Sequence, residues 1–335
     1  MYAEMFEDEM LTIEKTTVLG SEWIEMPMTS GRDKIRLWVR RIKRATVASV
    51  GVLGVAYGGY QVWMHTRSQP KPTERELFQG VTYRREVYTK PRPMVAHIVT
   101  IDLRAPGIGF LVTPGDQTQL KPVRARTRSA FLTEFKTQIA INGDFFYPWH
   151  SNTMLSYYPH VGDRVDVEGF AASRGIAYCT DPHKLALFPT LYLSKDNRVQ
   201  MNSPDGSLYN ALSGNRMLLS QGKFVPSSPS QDAHLDPRTA IGYDRDGTHL
   251  IIVLVDGRQP NYSEGATPRE LADLLSKHGA YTAMNLDGGG STTLAVEDKG
   301  GKPILLNSTI DCRIPFRERP VANHLGIFAR PLQQQ

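Results

Sequence analysis

The chain has 335 residues, 40% hydrophobic and 22% charged, with a formal net charge of +5. That length accommodates one large domain or two modest ones, and the composition excludes wholesale disorder. Much of the positive excess sits at Arg40, Arg41, Lys43 and Arg44; no basic stripe interleaved with aromatics occurs, which argues against a nucleic-acid partner.

Residues 1–44 read as a cytoplasmic tail, acidic at Glu4, Glu7, Asp8, Glu9 and Glu14. Residues 45–64 carry no charge and are about long enough to cross a bilayer as a helix. The basic cluster before this run predicts a single-pass anchor with its N-terminus in the cytoplasm, the rest extracytoplasmic, and Tyr60 and Trp63 at the far interface. The competing reading is a buried soluble helix, which the lack of a polar stripe disfavours. Residues 65–80 are polar, hold two prolines and read as a linker. The remainder, residues 81–332, reads as one domain.

Within that domain, Val95–Leu103 and Ile108–Val112 are predicted strands. Arg126–Lys136 has a helical face of Ala130, Phe131, Leu132 and Phe135, and leads into the apolar run Ile139–Ile141. Arg238–Tyr243 and His249–Val255 flank the turn Asp244–Gly247 and predict a hairpin. The strongest helix signal follows: Thr267 as N-cap, Pro268 in the first turn, Glu270 closing a capping box and Gly279 as the stop. Tyr281–Leu286, Thr292–Val296, Pro303–Leu306 and Leu325–Phe328 complete the strands. Many short strands with few helices predict an α+β fold: a mixed, mainly antiparallel sheet domain preceded by one transmembrane helix.

Four clusters at strand ends hold candidate chemistry. Asn142-Gly143-Asp144 follows an apolar strand and is either a turn or a site. Arg238 opens a strand that otherwise looks buried, so its guanidinium needs an anionic partner, either a structural carboxylate or a bound phosphate. Asp256 ends an apolar strand ahead of a short loop with Arg258 and Glu264, a placement suited to acid–base work or to a turn. Asn285-Leu-Asp287-Gly288-Gly289-Gly290-Ser291 carries three successive glycines, costly in conformational entropy. They predict a nest of backbone amides for an anion, with Asp287 at its edge and the Ser291 and Thr292 hydroxyls beside it. Cys179 and Cys312 are too few for a closed zinc site, and their pairing is left open.

Together with Tyr262-Ser-Glu-Gly265 and Arg319-Pro-Val-Ala-Asn323-His324, these segments resemble the phosphodiester glycosidase family over about residues 90–330. Animal members place the membrane span after the catalytic region; the N-terminal apolar run here is similar to bacterial relatives, often labelled exopolysaccharide-related. The resemblance implies hydrolysis of the bond between sugar C1 and a phosphate oxygen, within a phosphate-bearing envelope glycan. It implies Asp287 and Asp256 near the anomeric centre, Arg238 and the glycine turn on the phosphate, and Arg258 as a further substrate-binding residue. Asn142, Asp144, Glu264, Ser291, Asn323 and His324 would orient sugar hydroxyls or water, with Asp144 and Glu264 as further catalytic carboxylates and Gly143, Asn285 and Thr292 as further substrate-binding residues.

The oxocarbenium-like state at C1 calls for a carboxylate, whereas a phosphate leaving group needs little acid assistance. Clustered carboxylates and amide carbonyls are compatible with a divalent cation such as calcium. The rival from another class is a non-catalytic glycan or sugar-phosphate binding domain of an envelope polysaccharide assembly complex. A two-metal phosphodiesterase ranks last, because the sequence holds no His-x-His pair and only a lone His-x-Asp, His234-Leu-Asp236, too few ligands for a two-metal cluster.

Overall fold

The computed structural model describes residues 31–332 apart from 154, 180–186, 205 and 207. The acidic positions Glu4 to Glu14 lie outside the described residues. The chain divides into two compact units, 1–59 and 60–335. Of the first, a helix is described; it begins at Gly31 and ends in the second unit at Thr66, 36 residues in all. The predicted helix is therefore present, but no helix among the described residues is long and apolar enough to cross a membrane. Gly51, Gly54, Gly58 and Gly59, with Thr46, Ser49 and Gln61, dilute the valines and leave its hydropathy low.

The second unit is built on two antiparallel sheets packed face to face. One has eight strands in the order Thr73–Phe78, Val81–Tyr88, Met94–Asp102, His249–Val255, Arg238–Tyr243, Thr282–Asn285, Arg216–Ser220, Lys223–Phe224. The other has five, in the order Pro303–Leu305, Leu294–Glu297, Ile139–Asn142, His324–Phe328, Gly109–Val112. Between them lies a core in which Val99, Ile252, Leu254 and Met284 meet Ile139, Ile141, Leu294 and Leu325. Strand alternation sends the neighbouring residues outward, where each sheet is covered by a helix. Pro268–Lys277 lays Leu271, Leu274 and Leu275 on Ile251, Val253 and Ala283. Arg128–Phe135 lays Phe131 and Leu132 on Leu111 and Ala140. A further five-stranded sheet contributes Leu191, Leu193 and Leu212 to the central core.

The expected mixed, mainly antiparallel domain is observed. The capping box at Thr267 and Glu270 forms as predicted. The linker does not: Thr73–Phe78, inside it, pairs with Val81–Tyr88 as an edge strand. Its run of charged residues hid a strand that buries only Phe78 fully. Ala240 pairs with Asn285 in the eight-stranded sheet and His324 with Asn142 in the five-stranded one, and hydrogen bonds linking Asn142 and Gly143 to Asp287 and Thr239 join the two sets of strand ends.

Candidate functional site

A cavity of about 770 Å³ opens where these strand ends meet. Its lining includes Asp236, Arg238, Arg258, Asn285, Asp287, Gly288, Gly289 and Arg319, with Trp149 and Asn215 on its walls.

Asp287 is set by its backbone. Its N–H donates to the Gly143 carbonyl at 3.1 Å, and its own carbonyl accepts from Asn142 Nδ2 at 2.6 Å. Asn142 Oδ1 in turn accepts from the Thr239 hydroxyl at 2.9 Å. The Asn-Gly turn after one apolar strand therefore clamps the aspartate of another. The Asp287 side chain is 9% exposed and accepts from the Gly288 amide at 2.8 Å. Burial pushes its carboxyl up, opposed by the Arg319 guanidinium, the Ser291 hydroxyl and the Gly288 amide.

The glycine turn is a short 3-10 helix, Gly289–Ser291, and most of its amides are bonded within the protein rather than left open as a nest. Gly288 N–H bonds Asp287, Gly289 N–H bonds Pro237 O, Ser291 N–H bonds Gly288 O and Thr292 N–H bonds Gly289 O. The glycines are there for a different reason. A Cβ on Gly289, whose φ is +59°, would lie 3.0 Å from Arg258 Nη2, and one on Gly290 would lie 2.4 Å from Arg319 Nη2. Two guanidiniums lie against the bare backbone, which only glycine permits.

The arginines differ in how much of their charge is already neutralised. Arg258 is bidentate on Asp236 Oδ1, at 3.0 Å from Nε and 2.8 Å from Nη2. Arg319 donates to Asp311 at 2.9 Å and stacks 5.0 Å from the Trp149 ring centroid. Behind it the fully buried Arg128 donates to the Arg319 carbonyl and the Thr293 hydroxyl, each at 2.5 Å. Arg238 bonds only carbonyls, Ala266 O at 3.0 Å and His234 O at 2.7 Å. Among the described residues no carboxylate lies within ion-pair distance of it. Burial lowers its pKa, opposed by the nearby Asp236.

Several expected site residues are elsewhere. Asp256 is fully buried away from the cavity: His97 Nε2 lies 3.0 Å from one oxygen, Asn307 Nδ2 3.1 Å from the other, and the Ser308 amide bonds both. Glu264 is exposed and does not line the cavity. Asp144 lies behind the cavity wall, accepting from the Phe145 and Gly169 amides at 2.7 and 2.8 Å, and burial holds it well above the usual carboxylate range. Asn142, Thr292 and Asn323 are buried joints of the scaffold; Asn323 accepts from the Asp144 amide and, through its carbonyl, from the Gly143 amide. His324 stacks on Phe131 at 4.6 Å between Thr113 and the Arg126 carbonyl, and burial pushes it well below its usual pKa. A nearby sequence motif had no means of separating these joints from the cavity wall.

Conversely, Asp236, Asn215, Trp149 and Arg319 line the cavity without having been assigned roles. Arg319 stood in a quoted segment, and Asp236 lies two residues before Arg238; Asn215 and Trp149 carry no local signal. Cys312 lines the cavity and Cys179 is buried, its thiol donating to the Val167 carbonyl at 3.6 Å, and the two do not form a disulfide. Among the described residues no group of three His, Cys, Asp or Glu side chains is placed to hold a metal ion.

A phosphodiester glycosidase family model matches residues 135–328. The SPbeta prophage-derived uncharacterized protein YomE of Bacillus subtilis (strain 168) is 48% identical over 63 residues, 19% of this chain and 10% of that protein. N-acetylglucosamine-1-phosphodiester alpha-N-acetylglucosaminidase of Bos taurus is 40% identical over 62 residues, 18% of this chain and 11% of that protein. The matched stretch is thus only about a tenth of either curated relative. Among solved structures, the zebrafish N-acetylglucosamine-1-phosphodiester alpha-N-acetylglucosaminidase catalytic domain auto-inhibited by pro-peptide has a TM-score of 0.53 at 20% identity, covering 80% of this chain and 86% of that one. A hypothetical protein from Synechocystis has a TM-score of 0.52 at 18% identity, covering 78% and 64%. At these identities the likeness shows the fold alone.

Proposed function

The chain belongs to the phosphodiester glycosidase family, and from that premise we propose that it hydrolyses the bond between sugar C1 and a phosphate oxygen. The observation that carries the reading is the pairing, in one cavity, of a desolvated carboxylate, Asp287, with guanidiniums that differ in how far their charge is neutralised. Cleavage at C1 builds positive charge on the sugar and negative charge on the departing phosphate. Asp287 is the carboxylate for the first. Asp236, the other carboxylate on the cavity wall, is taken up by Arg258. For the second, Arg238 is the strongest candidate, since among the described residues no carboxylate lies within ion-pair distance of it and an anion would offset its burial. Arg258 and Arg319 hold the glycine turn and shape the pocket, and Trp149 offers a flat apolar face to a sugar ring. Because phosphate has a second pKa of about 6, the reaction needs little proton donation to the leaving group.

The substrate class this reading favours is a sugar-phosphate conjugate of an envelope glycan, with the domain extracytoplasmic and residues 45–64 as its attachment. The charge-free run and its basic flank support the attachment; the modest hydropathy of the helix does not. A second reading, a binding domain without catalysis, draws support from the displacement of Asp144, Asp256 and Glu264 from the cavity, which leaves few carboxylates for chemistry. Release of free reducing sugar from a panel of sugar-1-phosphodiesters decides between them. Turnover that Asp287→Asn abolishes supports hydrolysis; binding without release from any member of the panel supports the second reading.

A further inference from the structure

One wall of the cavity comes from outside the region that the family model matches. Tyr60, Gln61, Met64 and His65, on the last turns of the N-terminal helix, line it alongside Arg313. This segment is fastened to the domain by a specific lock. The Arg67 guanidinium lies 3.8 Å from the Tyr262 ring centroid, 4.8 Å from that of Phe316 and 5.6 Å from that of Trp63. It also donates to Gln259 Oε1 at 2.5 Å and to the Ser308 hydroxyl at 2.8 Å. Three aromatic faces and two hydrogen bonds on one cation make a fixed joint. Asn261 Nδ2 donates to the His65 carbonyl, and the Tyr60 hydroxyl donates to the Arg313 carbonyl at 2.5 Å. Met64, in an otherwise exposed stretch of helix, is only 7% exposed.

We infer that residues 60–67 form a substrate-selecting wall, which closes one side of the cavity and restricts it to a terminal sugar-1-phosphodiester. A cavity of about 770 Å³ has room for a sugar, its phosphate and a short group beyond it. A polymer threaded through the site would need the side that Tyr60 and Met64 occupy. The inference rests on the proposed hydrolysis for its substrate class, but the wall itself can be read without turnover. Cys312, next to the Arg313 that Tyr60 bonds, is a free thiol lining the cavity, whereas Cys179 is buried.

The experiment compares the full chain with Arg67→Ala and with Trp63→Ala. Two readouts are taken: the rate of Cys312 labelling by a bulky maleimide relative to iodoacetamide, and kcat/KM on a sugar-1-phosphate methyl diester relative to a sugar-1-phosphate polymer. The expected result is that both variants label about tenfold faster with the bulky reagent and only slightly faster with the small one. Their preference should also shift about tenfold toward the polymer, with the methyl diester changing less than about threefold. Equal gains on both substrates would overturn selection and make the segment a plain block. Unchanged labelling in both variants would overturn the wall itself. Faster bulky labelling without turnover of any diester by the wild type would keep the wall and reject the hydrolysis reading.

Discussion

Two strand ends in this domain carry the same local signature, a buried apolar run, an aspartate and a glycine: Leu254-Val-Asp256-Gly257 and Asn285-Leu-Asp287-Gly288. Their fates are opposite. Asp256 is sealed by the Asn307–Ser308 segment, whose amides fill both oxygens while His97 takes the remaining approach. Asp287 has one amide at 2.8 Å, a hydroxyl beside it, and a cavity in front. What separates a structural carboxylate from a reactive one is thus the third segment that packs over the strand end, or fails to. No feature within ten residues of either aspartate shows it.

The largest effect expected from this contrast is at Asp287. Asp287→Asn keeps the acceptor for the Gly288 amide and the shape of the side chain, so folding should survive. Turnover of a sugar-1-phosphodiester should fall on the order of 10³-fold or more, the scale on which essential catalytic groups register. Steady-state kinetics with a thermal melt as control is the measurement; a folded variant retaining a tenth of wild-type kcat would remove Asp287 from the mechanism.

Asp256→Ala should show the reverse pattern. It strands His97, Asn307 Nδ2 and the Ser308 amide in the interior, and losing a partner from such a network costs about 3 kcal/mol. Denaturant unfolding should register that loss, while kcat per folded molecule stays within a few-fold. A stable but inactive Asp256→Ala protein would collapse the distinction between the two aspartates.

Gly290→Ala probes the wall around Asp287 with a smaller change. The added methyl would fall 2.4 Å from Arg319 Nη2 and 2.6 Å from Asp311 Oδ1, so the ion pair must shift. Overpacking of this kind costs about 1–3 kcal/mol. If Arg319 shapes the pocket, kcat/KM should fall by roughly tenfold to a hundredfold, the rate equivalent of that energy. Arg319→Lys should resemble it, because lysine cannot bond Asp311 and cover Trp149 at once. Full activity in both variants would reduce Arg319 to scaffold.

Much of the fold was legible beforehand, because its signals are local. The helix at Thr267 declares itself by cap, proline and apolar spacing, and the 238–255 hairpin by its alternating runs and turn. The edge strand at Thr73–Phe78 was hidden, since an edge strand with one solvated face needs little apolar residue. The site was legible in its location and less so in its parts. Arg238 stood out because it opens a strand that otherwise looks buried, and Asp287 because it edges three successive glycines; both line the cavity. Of the three glycines read as an anion nest, Gly289 and Gly290 make room for Arg258 and Arg319, a fact that depends on side chains 31 residues before Gly289 and 29 after Gly290 in the sequence. Asn215 and Trp149 reach the cavity through tertiary packing and leave no periodicity to read.

The smallest expected effect concerns pH and separates the two aspartates thermodynamically. Burial raises the Asp287 carboxyl above its ordinary 3.8 in the folded state. Between that value and the folded pKa, the folded protein binds more protons at this site than the unfolded chain. The derivative of unfolding free energy with pH is then negative, so stability at this site is complete below 3.8 and declines as pH rises through the folded pKa. Asp287→Asn removes that decline. The variant should therefore melt higher than wild type at pH 7, and the difference should vanish as the pH is lowered below the ordinary carboxyl value. Asp256→Asn should show no such gain, because its partners are donors to an acceptor that an amide replaces poorly. Thermal melts of both variants across pH 3 to 8 give the test. A wild type that loses ground to Asp287→Asn as the pH falls would mean that the folded state favours the ionised carboxyl, with the guanidiniums outweighing desolvation at the floor of the cavity.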